Sequence, residues 1–149
     1  MPLVDDVSAA IADAMRKQDA ARLTPLRMLK AAFMNKSVEK RRDLDDAEAR
    51  QVVSSLVKQR KDSIDQFTKG GRLDLADKEA AEILILETYL PPAVDPAAID
   101  QAITAAIAET GATSPKDMGR VMKAAMARLA GQNVDGKAVN ELVRGKLGA

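Results

Sequence analysis

Residues 89–96 read Tyr-Leu-Pro-Pro-Ala-Val-Asp-Pro, and this short stretch divides the chain. Proline cannot continue a helix, and it biases the residue before it toward extended backbone. Pro91-Pro92 therefore ends one helical segment, whereas Asp95-Pro96 supplies an N-cap and a proline at the first position of the next helix. We predict an N-terminal helical domain over residues 1–90, a proline-rich hinge over residues 91–94 and a smaller helical domain over residues 95–149.

Helix start and stop signals recur on both sides of this boundary. They predict four helices before it, which run from Leu3 to about Gln18, from Asp19 to Arg41, from Asp45 to Phe67 and from Asp74 to Tyr89. They predict three helices after it, which run from Asp95-Pro96 to Gly111, from Ser114-Pro115 to about Ala130 and from Gly136 to Leu147. The expected fold is all-α, with a four-helix domain followed by a small three-helix bundle.

The composition supports this fold class and excludes several kinds of chemistry. Hydrophobic residues make up 46% of the 149 residues but aromatic residues only 2%, which favours helices packed through aliphatic side chains. The chain has no Cys and no His, which excludes disulfides, thiolate nucleophiles, imidazole bases and the commonest zinc ligands. We therefore expect no catalytic residue, no cofactor and no metal.

The N-terminal residues and the hydropathy pattern bear on location. The first ten residues carry Asp5 and Asp6 and lack the basic and apolar regions of a signal peptide. No apolar run approaches the roughly 20 residues that span a bilayer. These features predict a cytoplasmic protein without a membrane partner.

Charge is distributed unevenly along the chain. The formal net charge is +1, but residues 27–61 and 116–149 are basic, whereas residues 62–110 are acidic. Such asymmetry can indicate charged binding partners. Solvated helix faces with internal ion pairs produce the same pattern.

The cations of the last two helices are predicted to lie opposite apolar arcs. At about 100° per residue, aliphatic positions of both helices fall on one side and basic positions on the other. Two interpretations stay open, namely ordinary amphipathic helices or a surface for phosphates. Because so few aromatic residues are available for base stacking, a nucleic-acid target would be folded RNA backbone. The candidate RNA-binding residues are Lys116, Arg120, Lys123, Lys137 and Arg144.

Arg60 is the one cation predicted to fall within an apolar arc, on the third helix. A guanidinium there has to snorkel, pair with a carboxylate or face a partner. The acidic fourth helix offers Glu79, Glu82 and Glu87, so we favour a structural ion pair over a partner site. The basic residues of the second helix are interpreted as a solvated face.

Several segments resemble the YqeY family, also called the GatB/YqeY domain family. They occur in order along nearly the whole chain, at residues 26–32, 58–63, 71–75, 89–91 and 116–122, and read LRMLKAA, KQRKDS, GRLDL, YLP and KDMGRVM. The part from Gly119 to Leu147 is similar to the tail domain of the tRNA-dependent amidotransferase B subunit.

This resemblance implies a link to tRNA and to carbon–nitrogen ligase activity with glutamine as amide donor. It covers neither the cradle that activates the carboxyl group nor the amidase signature, so we expect no activity from the chain alone. The leading hypothesis is a non-catalytic tRNA-binding or amidotransferase-associated protein that contacts folded RNA through its C-terminal domain. Two alternatives stay open: a protein-interaction module without RNA affinity, and an accessory to the glutamine-dependent ligase, whose partners would be amidotransferase subunits or another protein.

Overall fold

The computed structural model describes residues 2–130 and 132–148, and within them the all-α prediction is confirmed. The helices are α1 (Leu3–Arg16), α2 (Ala20–Lys40), α3 (Asp46–Lys69), α4 (Leu73–Glu87), α5 (Pro96–Thr110), α6 (Met118–Arg128) and α7 (Gly136–Lys146). The described residues form no strand beyond an isolated bridge between Ala93 and Asn133. None of these helices is long and apolar enough to cross a membrane.

The chain divides into two compact units, one ending at Leu90 and the other starting at Pro91. The predicted outer limits Met1 and Ala149, and the predicted helix stop at Gly131, lie outside the described residues. The assignment of residues 91–94 as a hinge between two domains stays a prediction.

The N-terminal unit contains α1 to α4 around one aliphatic core. Each helix contributes residues three, four or seven positions apart, the spacing of a single helix face. The buried members are Val7, Ile11 and Ala14 of α1, Leu26, Leu29 and Phe33 of α2, Ala49, Val53 and Val57 of α3, and Ile83 and Leu86 of α4. The connection from α3 to α4 is short because Gly71 adopts a left-handed φ of 75°, a conformation that costs glycine little.

The start of α3 is fixed by the capping box that the spacing of Asp45 and Glu48 predicts. The Asp45 side chain accepts from the Glu48 N–H at 2.8 Å, and the Glu48 side chain accepts from the Asp45 N–H at 3.1 Å. Glu48 also pairs with Lys40 and with Arg42, whose Nη1 lies 2.6 Å from Glu48 Oε1. This hydrogen bonding, led by Arg42, holds the pKa of the Glu48 carboxyl far below its usual range.

The C-terminal unit contains α5, α6 and α7 around a second core. The buried members are Ile99, Ile103 and Ala106 of α5, Val121, Ala125 and Leu129 at α6, and Val139, Val143 and Leu147 at α7. Two hydrogen bonds join residues 91–94 to the rest of this unit. Asn133 Nδ2 donates to the Pro91 carbonyl at 2.8 Å, and the Val94 N–H donates to the Asn133 carbonyl at 3.0 Å.

The sixth helix begins later than the sequence predicts. Ser114 makes no side-chain capping bond, and Pro115–Asp117 form a 3-10 turn before α6 starts at Met118. The Asp117 carboxylate accepts from the Thr113 N–H at 3.1 Å, across the start of this 3-10 turn. Lys116 therefore lies on the 3-10 turn, so the projection along an α-helix does not apply to it.

We predict that Glu48→Gln lowers the stability of the N-terminal unit at pH 7. The carboxylate has a depressed pKa in the folded state, so its contribution is fully present above the unfolded pKa of about 4.3 and is lost as pH falls toward the folded value. The difference between wild type and Glu48→Gln should therefore shrink between about pH 5 and pH 3. This difference in the free energy of unfolding can be measured by urea unfolding at each pH, followed by the fluorescence of Tyr89, the single tyrosine of the chain.

Asp62→Asn is the matched control, because Asp62 is exposed and has no ion-pair partner among the described residues. A pH-independent difference between wild type and Glu48→Gln would contradict the prediction.

Candidate functional site

The candidate RNA-binding residues are all exposed, on three elements of the C-terminal unit. Lys116 lies on the 3-10 turn, Arg120 and Lys123 on α6, and Lys137 and Arg144 on α7. The predicted opposition of cations and aliphatic residues holds for α6, where Val121 and Ala125 are fully buried.

The apolar arc of α7 is narrower than predicted. Val139 and Val143, one turn apart, are fully buried, and Leu147 is buried just past the helix end. Helical periodicity predicts that Leu142 shares the apolar arc of Val139 and Val143, but it is 41% exposed. It lies at the edge of the face that α7 presents to α5 and α6, where the neighbouring helices do not cover it.

Arg120 is engaged within its own unit. Its guanidinium pairs with the Asp117 carboxylate and donates weakly to the Thr110 carbonyl at 3.4 Å. The hydrogen bond that Arg120 donates to the Asp117 carboxylate is the main reason why the pKa of Asp117 lies below its usual value. A phosphate at Arg120 would therefore compete with an existing carboxylate.

Three candidate residues are not engaged in this way. Lys116, Lys123 and Arg144 have no ion pair or side-chain hydrogen bond within residues 2–130 and 132–148. Two other cations of the unit, which were not predicted as site residues, do have partners on a neighbouring helix. Arg128 Nη2 lies 3.0 Å from Glu109 Oε2, and Lys146 Nζ lies 2.8 Å from Asp100 Oδ1. The unit thus contains both paired and unpaired exposed cations.

Arg60 forms an ion pair inside the N-terminal unit. Its Nε donates to Glu82 Oε2 at 3.0 Å, and both residues are buried, with 5% and 7% of their surface exposed. Glu79 lies slightly farther away, with an Oε2 to Nε distance of 3.7 Å, and Nη2 contacts the Met28 sulfur at 3.4 Å. Because both side chains are buried, the attraction between their charges offsets the free energy that each loses when it is removed from water.

The basic residues of the second helix do not form one uniform solvated face. Lys36 pairs with Glu39, and both Lys40 and Arg42 pair with Glu48. Arg27, Lys30 and Arg41 are exposed and have no such partner in the described part of the chain. The projection of the second helix would have shown these three on one side together with Met34 and Val38.

A protein-family model described as Yqey-like protein matches residues 4–147, nearly the whole chain. This chain belongs to the YqeY-like family. The match confirms the resemblance that the five sequence segments indicate.

Curated relatives carry the name "Altered inheritance of mitochondria protein 41, mitochondrial". The protein from Lachancea thermotolerans is 35% identical over 105 residues, which cover 68% of this chain and 56% of the relative. The Kluyveromyces lactis protein is 41% identical over 90 residues, covering 58% and 49% of the two chains. The one from Pyrenophora tritici-repentis is 26% identical over 145 residues, covering 96% and 80%. The chain thus spans about half the length of the first two relatives.

The predicted cytoplasmic location is wrong by this comparison, because the relatives are named as mitochondrial proteins. The prediction relied on two missing features, a recognisable secretory signal peptide and a membrane-spanning apolar run. Neither absence separates the cytosol from the interior of an organelle.

We predict that Glu82→Ala destabilises the N-terminal unit by about 3 kcal/mol, because the Arg60 guanidinium would stay buried without its nearest carboxylate. The double variant Arg60→Met/Glu82→Leu, which removes both charges and keeps the volume, should be about neutral. Urea unfolding of the full chain, followed by Tyr89 fluorescence, measures both. A double variant as unstable as Glu82→Ala would show that packing, and not the unpaired charge, causes the loss.

Proposed function

We propose that the C-terminal unit binds folded RNA through its phosphate backbone, and that tRNA is the RNA bound. The observation that carries this proposal is the set of exposed cations without partners, Lys116, Lys123 and Arg144. The tRNA part rests on the resemblance of residues 119–147 to an amidotransferase tail domain.

The ion pairs already present in the C-terminal unit divide its cations into stronger and weaker candidates for contact with phosphate. A cation that is already solvated gains by neutralising a phosphate, because bound counterions are released from the RNA. Arg128 and Lys146 would first give up Glu109 and Asp100, and Arg120 would give up Asp117. We therefore propose Lys116, Lys123 and Arg144 as the principal contacts, with Arg120 and Lys137 as weaker ones.

The proposed role is non-catalytic. In this proposal the chain holds the RNA, and amidation of Glu-tRNA(Gln) or Asp-tRNA(Asn) is performed by a glutamine-dependent amidotransferase with which the chain associates. An assay of glutamine-dependent amidation by the purified chain should give no product, and product formation would replace this role with an enzymatic one.

We predict that the triple variant Lys116→Ala/Lys123→Ala/Arg144→Ala weakens tRNA binding and reduces its salt dependence. Each lost phosphate contact should flatten the plot of log affinity against log salt by about one unit. Fluorescence anisotropy with labelled tRNA over a salt series measures both quantities. Arg120→Ala should have a smaller effect than Lys123→Ala, because Arg120 is already paired.

The matched control is Arg128→Ala/Lys146→Ala, which removes two cations that have internal partners. Its salt slope should stay close to that of the wild type. Equal slopes for the wild type and the triple variant, or binding that does not respond to salt, would contradict the proposal. A stoichiometric protein partner recovered after nuclease treatment, without tRNA affinity, would favour the protein-interaction module.

A further inference from the structure

An exposed row of side chains on α2 has both charge and apolar surface. It consists of Arg27, Lys30, Met34, Val38 and the C-cap residue Arg41, and we call it the α2 stripe. At about 100° per residue Arg27, Lys30, Met34 and Val38 fall within an arc of about 80°, on the side of the helix away from its buried residues. Arg41 follows them at the C-terminal end of the helix, where its φ of 58° is left-handed. No carboxylate belongs to the stripe, and its three cations have no partner in the described residues.

The two apolar members of the stripe are unusually open to solvent. Met34 is 60% exposed and Val38 is 77% exposed, and they lie one turn apart on the same face. Single exposed apolar residues need no explanation, but an adjacent pair that continues into a groove indicates an interaction surface. Methionine suits such a surface, since its flexible side chain adapts to different partners.

A groove of about 520 Å³ adjoins the stripe. The apolar lining of the groove includes Val4, Phe33 and Leu44. Lys30 lines the border of the groove that α2 forms. Asp5 and Asp43 also line the groove, so its charge is mixed and is basic along α2. The groove therefore has an apolar interior with opposite charges on its borders.

The cations and the exposed apolar side chains together favour one kind of ligand for the stripe and groove over another. A phosphate backbone would use the cations but would leave Met34 and Val38 in contact with charged groups. An amphipathic helix uses both features, because its apolar face enters the groove while its charged flanks meet the borders. From Arg27 to Arg41 the stripe extends for about 21 Å, the length of a helix of about 14 residues.

We propose that the α2 stripe and its groove bind an acidic amphipathic helix of a partner protein. Apolar side chains spaced four residues apart would contact Met34 and Val38, and carboxylates on one flank would face Arg27, Lys30 and Arg41. This surface belongs to the N-terminal unit and does not depend on the RNA surface of the C-terminal unit, so either one can fail without the other.

The test uses a labelled helical peptide of about 14 residues, with leucines four residues apart and glutamates along one flank only, and a control peptide with lysine at each glutamate position. Anisotropy with the full chain should show salt-sensitive binding of the acidic peptide, and about tenfold weaker binding of the control, a difference of about 1.4 kcal/mol. Met34→Ser/Val38→Ser should reduce the affinity for the acidic peptide about tenfold.

The decisive variant is Lys30→Glu/Arg41→Glu, which should reverse the preference toward the lysine peptide. Its matched control is Lys61→Glu/Lys69→Glu, which makes the same charge change at exposed positions of α3 that have no ion pair within the described part of the chain. This control should leave the preference unchanged. All of these residues are exposed, so the variants should keep the wild-type helical circular dichroism.

Several results would overturn the proposal. Equal affinity for the two peptides, or an unchanged preference in Lys30→Glu/Arg41→Glu, would remove its electrostatic basis. Binding of phosphatidylserine vesicles or tRNA that is lost in the stripe variants, without peptide binding, would assign the surface to a membrane or to RNA. Sedimentation that shows self-association abolished by the same variants would assign it to a second copy of the chain.

Discussion

Close packing of short aliphatic side chains is the constraint on which both units depend. The chain has two Phe, one Tyr and no Trp, so its helices meet mainly through Leu, Ile, Val and Ala. Ala14 and Ala49 are fully buried in the first unit, as Ala106 and Ala125 are in the second. Small residues at these contacts let helix backbones approach closely, and the buried face of each helix stays narrow. A wide exposed face is therefore left on α2, α6 and α7, where the polar pattern is free to serve binding.

Ion pairing then decides which exposed cations are available to a partner. Glu48 engages Lys40 and Arg42, and Glu109 engages Arg128, so several basic residues of the two basic blocks are already neutralised. Exposed cations without an ion pair among the described residues include a set on α2 and a set on the 3-10 turn, α6 and α7, and others, such as Lys61 and Lys69, lie on α3. Net charge of a segment is for this reason a poor guide to its surface, and the local pairs determine what a phosphate or a carboxylate would meet.

Membership of the YqeY-like family covers both units, since the match extends over residues 4–147. The two surfaces differ in kind, because the α2 stripe includes an exposed apolar pair beside a groove. Under the two proposals above, one unit would hold RNA and the other a helix of a partner protein. Arg60 and Glu82 contribute to neither surface, because their burial keeps them from any ligand.

The sequence by itself determined the features that depend on neighbours within about four residues. These are the helical class, the break at Pro91-Pro92, the capping box of Asp45 and Glu48 and the buried face of α6. It placed the start of the sixth helix about one turn too early, because Ser114 makes no capping bond and Pro115–Asp117 form a 3-10 turn before α6. The sequence predicted an ion pair between Arg60 and the fourth helix, and the tertiary structure decided that Glu82 is the nearest carboxylate. Only the tertiary structure decided that Arg128 is paired, since it meets a residue 19 positions away. Helical periodicity says which side of a helix a residue occupies, but the partner on that side is set by how the helices pack.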